Sequence, residues 1–269
     1  MRFRWSNFIL FLGYLFLYFP LVCIVIYSFN ESRFVASWTR FSLKWYKTLL
    51  SNPIILRAAV TSLKVACLSA TVSVVLGTMV AIIITRFKRF RGKTIFVGAI
   101  TAPLVMPEVV MGLSLLMLFV GMEKIFGWPV GSGTTTITIA HITLTLSYVT
   151  MIVQARLHDL DMTLEEAALD LGASPLKVFF VITLPMISPA IVLGWLLAFA
   201  LSIDDVVIAS FVAGPGATTL PMIVFSSLRF GISPEINALA TILMTVLSIG
   251  VIIFAVWVHR KESKVRSGK

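Results

Sequence analysis

The sequence predicts an all-α protein, a polytopic bundle of six transmembrane helices. Three observations carry that prediction. The 269 residues are 58% apolar and only 13% charged, whereas soluble domains sit near 45–50% apolar and about 25% charged. Several windows exceed about 18 consecutive apolar or small residues, enough to cross a hydrocarbon layer about 30 Å thick. The basic residues gather in short clusters beside those windows, where they orient helices and meet anionic lipid. The net charge of +10 is therefore a membrane signal and not a nucleic-acid one.

Taken in order, spans are expected over 8–29, 57–86, 95–122, 134–155, 186–212 and 236–259. Arg2 and Arg4 ahead of Phe8–Tyr27 imitate a signal peptide. The apolar run is longer than a usual h-region and no small-residue cleavage site follows it, so an uncleaved first helix is expected. Asn30 to Arg57, with Trp38, Trp45 and Tyr46, forms a polar-aromatic connection suited to an interface, with a short surface helix over 43–50. Cys23 and Cys67 lie inside apolar segments without ligand-like spacing and read as small hydrophobes. No repeat, low-complexity tract or soluble domain interrupts the chain, which reads as a single domain over 1–269.

Orientation follows from the cations. Arg86 to Lys93 packs five Lys and Arg into eight positions, and Arg260 to Lys269 carries five more. With Arg2, Arg4, Arg156 and Lys177, one side of the membrane collects 14 of the 22 Lys and Arg. Both termini and the segment 161–185 are expected on that side, the cytoplasm. Arg33, Arg40, Lys44, Lys47 and Arg57 weigh less, because their loop is long.

The segment 161–185 is not built like an ordinary connection. Thr163 and Glu166 have the spacing of a capping box, and Leu164, Ala167, Ala168 and Leu171 share one helical stripe. Gly172 would end that helix in the left-handed region, and Ser174-Pro175 would start another. Two short helices jointed at a glycine make a compact knob. Glu166-Ala167-Ala168, Gly172 and Ile182-Thr183-Leu184-Pro185 resemble the EAA loop of the membrane subunits of bacterial ABC importers. That resemblance implies the type I importer permease fold. It also implies a coupling helix docked on a cytoplasmic ATPase through Glu165, Glu166, Ala167, Ala168, Gly172, Ser174, Pro175, Leu184 and Pro185. An amphipathic loop lying on the membrane surface is the plainer alternative.

Ionisable groups at membrane depth are functional candidates by default. Counting about 1.5 Å per residue, Lys64, Glu108 and the pair Asp204-Asp205 share a layer roughly 21–24 Å above the inner face. Three carboxylates there would favour a translocated cation. The two aspartates point about 100° apart, so one would face a pathway while the other caps, pairs or meets a neighbouring subunit. Interhelical ion pairs, such as Lys64 with Glu108, are the alternative. Glu108 follows Pro103 and Pro107, which kink the helix. Trp195 would stack on an alkyl-ammonium chain or else face lipid or core. His141 reads as a hydrogen-bonded packing residue, without the spacing of a metal site. The turn-rich segment 213–231 would form the last external loop, and Ser233-Pro234-Glu235 would open the sixth span.

The chain has no Gly-x4-Gly-Lys-Ser/Thr, so it cannot cradle ATP phosphates. No Ser/His/Asp arrangement points to hydrolysis, and no enzyme activity is expected. Leu201–Pro221, Ser233–Thr241 and Ala102–Val109 resemble the spermidine/putrescine family of ABC permeases, nearest to the putrescine-type second permease subunit. Glu108 departs from the aspartate of the nearest relatives while keeping the charge. The resemblance implies a bacterial inner-membrane permease that pairs with a second homologous permease. It further implies two copies of an ATPase holding ATP and Mg, and a periplasmic polyamine-binding protein. No cofactor is expected in this chain, and Asp204, Asp205, Glu108 and Trp195 are its candidate pathway residues. Another cationic or amino-containing cargo (an opine, an aminophosphonate, ferric ion) would use the same machine. An ion-coupled secondary transporter would leave the coupling loop without a task.

Overall fold

A computed structural model describes residues 2–32, 37–87, 89–229 and 234–267. Arg33, Ser233 and Lys269, named above, lie outside the described residues, as do Lys88 of the basic cluster and positions 230 and 231 of the last loop. The helices are α1 Arg2–Ser28, α2 Lys44–Ser51, α3 Pro53–Arg86, α4 Lys93–Val105, α5 Glu108–Phe126 and α6 Thr134–His158. They continue as α7 Thr163–Asp170, α8 Pro175–Val178, a π-helical turn Phe179–Thr183, α9 Leu184–Asp204, α10 Val207–Val212, α11 Leu220–Arg229 and α12 Pro234–Ser267. Five helices among the described residues are long and apolar enough to cross a membrane: Asn7–Ser28, Pro53–Arg86, Glu108–Phe126, Thr134–His158 and Pro175–Asp204. Lys93–Val105 and Pro234–Gly250 are shorter apolar helices.

Two of the expected spans are not continuous. The one expected over 95–122 is two helices, α4 and α5, separated at Met106-Pro107. Proline lacks an N–H and pushes the residue before it out of the helical region; Met106 is accordingly extended, with ψ 136°. Pro103 stays inside α4. The span expected over 186–212 breaks at Asp205, where ψ is 128°.

The chain forms two compact units, Met1–Leu56 with Val224–Lys269, and Arg57–Ile223. In the first, α1 and α2 both lie on α12. Asn30 organises the connection before α2. Its Nδ2 donates to the Ser37 carbonyl at 2.7 Å, its Oδ1 accepts the Thr39 N–H at 3.0 Å, and its own carbonyl accepts Trp45 Nε1–H at 2.8 Å. Trp45 and Leu49 are the buried face of α2, the surface helix that the sequence predicts.

In the second unit α6 is the spine, packed by α4, α9 and α10. A Cβ at Gly77 of α3 would fall 2.8 Å from Val149 of α6, so this close approach requires a residue without a side chain. Gly112 of α5 meets the Phe211 ring of α10 in the same way. Hydroxyls supply several of the polar contacts between these helices. Ser73 bonds Thr145 at 2.7 Å, Ser147 donates to the Ile100 carbonyl at 2.6 Å, and Thr136 donates to the Val212 carbonyl at 2.7 Å. Such bonds contribute about 0.6 kcal/mol each on average. Cys23 and Cys67 are free.

Candidate functional site

The connection between α6 and α9 presents an exposed helix on a latched base. The Asp161 carboxylate accepts the Thr163 N–H at 3.0 Å, and hydrogen bonds from Thr163 hold this carboxyl below its ordinary range. Asp161 therefore supplies the side-chain cap of α7. The expected capping box does not form: Thr163 is already helical, and the N–H groups of Glu165 and Glu166 go to the Met162 carbonyl. The far end of α7 follows expectation. Gly172 has φ +83°, its N–H reaches the Leu169 carbonyl, and the Ala173 N–H reaches Ala168. These are the two bonds of a Schellman motif.

The second half of the knob differs from the two-helix expectation. α8 starts at Pro175 without a side-chain cap from Ser174, then runs through the π turn directly into α9. Pro185 has no N–H for the carbonyl four residues back. The turn before it widens, and the Leu184 N–H reaches the Phe179 carbonyl. α8 is thus the foot of one long helix, Pro175–Asp204.

Within this loop the two glutamates have different surroundings. Glu165 accepts a bond from Arg86, at the end of α3, and another from Thr183 in the π turn at 2.8 Å; its side chain is 16% exposed. Arg86 also contacts Met162 Sδ. Glu166, Ala167, Gly172, Ser174, Pro175 and Pro185 are exposed, whereas Ala168 and Leu184 are half-buried. Leu164, Leu169, Leu171 and Leu176 are exposed as well, Leu171 at 88%. No residue of α7 is buried.

The second constellation surrounds the break between α9 and α10. Asp205 receives the Ile208 N–H at 3.2 Å and the Ala209 N–H at 2.7 Å, two of the donors that the start of α10 leaves free. His141 Nε2 lies 3.1 Å from the same carboxylate, and its Nδ1 lies 2.6 Å from Ser202 Oγ. Ser69 of α3 donates to Ser202 at 3.0 Å. A serine, a histidine and an aspartate do meet here, a cluster that the sequence reading did not single out. All are buried, with His141 1% exposed, so no substrate reaches the serine and the arrangement is a brace.

Asp204, the last residue of α9, is exposed and makes no ion pair among the described residues. The two aspartates thus divide, Asp205 inward and Asp204 outward. Glu108 is the exposed first residue of α5, and α5 lies on α10. Lys64 is exposed and forms no ion pair with Glu108. Trp195 does not join Asp204. Nine residues of helix separate them, about two and a half turns, which sets them on opposite faces of α9. Its Nε1–H donates to Thr71 at 3.1 Å and its ring stacks on Phe199. Among the described residues no group of three or more His, Cys, Asp or Glu could hold a metal ion. Sequence reasoning missed Arg86, Ser69 and Ser202. The one available signal was the three-residue spacing of Ser202 and Asp205, which puts both on one helical face toward a buried histidine.

Residues 73–264 match the family described as the inner membrane component of binding-protein-dependent transport systems. The chain is 54% identical over 256 residues to the putrescine transport system permease protein PotI of Escherichia coli, covering 95% of this chain and 90% of that one. It is 40% identical to the spermidine/putrescine transport system permease protein PotC of Haemophilus influenzae, covering 97% and 99%. A solved bacterial ABC transporter involved in import of the acidic polysaccharide alginate shares the fold, with TM-score 0.73, 14% identity and coverage of 96% and 95%. A solved amino acid ABC transporter with histidines superposes with TM-score 0.57 at 19% identity, over 80% of this chain and 98% of that one. The exposed loop, the broken apolar helices and these likenesses agree: the chain belongs to the inner-membrane components of binding-protein-dependent transport systems, as a multi-pass, non-catalytic permease subunit.

Proposed function

We propose that this permease carries putrescine, or a polyamine close to it, into the bacterial cell in an ATP-driven importer. The observation that supports the cargo is the 54% identity to a putrescine permease along 95% of the chain. The chain has no phosphate-binding loop, so ATP and Mg belong to a partner ATPase present in two copies. A second homologous permease completes the pore, and a periplasmic polyamine-binding protein delivers the cargo.

The loop 161–185 lies in the cytoplasm with both termini, and the ATPase receives its exposed surface. Glu166, Ala167, Ala168 and the leucines of α7 form the contact. Gly172, Ser174 and Pro175 shape the corner, and Leu184-Pro185 joins it to the long helix. The Asp204 carboxylate, which makes no ion pair among the described residues, offers charge to a passing ammonium, with Glu108 as a second acidic group. Asp205 acts structurally, and Trp195 lies off that face.

The test is uptake of labelled putrescine by proteoliposomes holding the whole transporter, with the binding protein outside and ATP inside. Putrescine accumulation that excess spermidine competes away is the expected result. If neither unlabelled putrescine nor spermidine competes, the cargo is another cation.

A further inference from the structure

The buried chain Ser69–Ser202–His141–Asp205 has a direction. Asp205 accepts from two backbone N–H groups, so its contact with His141 Nε2 at 3.1 Å is met by a donor on the ring. A neutral imidazole with its proton on Nε2 leaves Nδ1 as an acceptor. Ser202 then donates to Nδ1, and its oxygen is free to accept from Ser69, whose single hydroxyl proton is shared between Ser202 at 3.0 Å and the Ala66 carbonyl at 3.2 Å. Every hydroxyl and ring nitrogen is used, on residues that are 0%, 5%, 1% and 8% exposed. The run ties α3 and α6 to both sides of the α9–α10 break. Asp204 sits at that break, one peptide bond from the braced residue.

Resting on the reading of Asp204 as a pathway carboxylate, we propose that His141 is a positioning residue for transport. Through Ser202 and Asp205 it fixes the end of α9, and so fixes where the Asp204 carboxylate meets the cationic cargo. His141 itself touches no substrate. A purely structural histidine would affect only the amount of folded protein. A positioning one alters the half-saturating cargo concentration and the rate per assembled complex, and it does so through Asp204.

The experiment uses the reconstituted full transporter with putrescine as cargo. His141→Leu should lower uptake per assembled complex about tenfold. His141→Gln, whose amide can still donate to Asp205, should recover most of that loss. In an Asp204→Asn background, His141→Leu should add less than about twofold. Full uptake by His141→Leu, or losses that multiply in the double variant, would overturn the proposal. If His141→Leu does not assemble, Ser202→Ala, which removes one hydroxyl, carries the same comparison with a smaller expected loss.

A second readout separates this claim from the cargo reading. In a Cys23→Ala, Cys67→Ala background, Asp204→Cys is labelled with a water-soluble thiol reagent. His141→Leu should change the labelling rate at least threefold. An unchanged rate defeats the brace whatever the cargo. An altered rate, combined with normal uptake by Asp204→Asn, would keep the brace but remove Asp204 from the pathway and end the proposed role in transport.

Discussion

The loop at 161–185 and the break at 202–209 both interrupt helices with charged residues, yet they satisfy those residues in opposite ways. At the break, one carboxylate takes two backbone donors and a histidine, all contributed by this chain. In the loop, one glutamate is latched to Arg86 and Thr183, while Leu164, Leu169, Leu171 and Leu176 stay exposed. The buried half of the first region is complete in itself, with only Asp204 turned outward. The second is finished only to the point of holding a shape, and its remaining surface calls for a partner. In a subunit that does no chemistry, this contrast separates what the chain must hold rigid from what an assembly must move.

Substitutions can break or sharpen the contrast. The largest effect is expected from Asp205→Ala, which strands His141 and two backbone N–H groups in the interior. Each buried donor left without a partner costs about 1–3 kcal/mol. Thermal unfolding in detergent should show marked destabilisation, and stability equal to the parent would mean the brace contributes nothing. Next comes Glu165→Gln, which removes the charge that Arg86 meets, a loss of about 1.5–3 kcal/mol by the usual worth of charged hydrogen bonds. Here the folded bundle should survive, while transport per ATP hydrolysed falls, because α7 is no longer fastened to α3. Exchanging the pair as Glu165→Arg with Arg86→Glu should restore part of it, and an unaltered ratio in Glu165→Gln would remove the latch from the coupling path.

Gly172→Ala should cost about 1–2 kcal/mol of loop strain from the left-handed backbone alone, since a Cβ there meets nothing within 4 Å. Gly172→Val adds branching at that strained backbone and should leave the protein in the membrane with weakened stimulation of ATP hydrolysis. Normal stimulation would show that the corner tolerates a change of shape. The smallest effect is expected at Asp161. Its carboxyl is held below the ordinary 3.8 of aspartate, so the cap it gives Thr163 is fully present above that value and is lost as pH falls through the lowered one. Between pH 6 and 8 uptake should therefore carry no titration from this group, and a step there that vanishes in Asp161→Asn would contradict the assignment.

The bundle was legible in the sequence because long apolar runs and basic clusters are properties of composition that no tertiary contact can hide. The knob was legible through Gly172 and Pro175, whose backbone demands are intrinsic. The breaks were harder. Met106-Pro107 could be read as a kink but not as a full separation. Nothing local in Asp204-Asp205 says which carboxylate turns inward, because the deciding donor, His141, comes from another helix. Thr163 and Asp161 are both good capping residues two positions apart, and the sequence alone favoured the wrong one. Nothing local to Glu165 announces its latch, because the cation that meets it lies 79 positions earlier.

The hydroxyls along α6 also bear on how the protein is made. α6 is the least apolar of the five long spans, and Thr138, Thr143, Thr145 and Thr150 bond back to carbonyls one turn earlier. The segment around which its neighbours gather is thus the one least suited to leave the translocon unaided. Biogenesis would then favour α3 entering lipid first and sheltering α6 during its release. Glycosylation mapping of α6 alone and behind α3 would reveal that dependence as a rise in insertion efficiency.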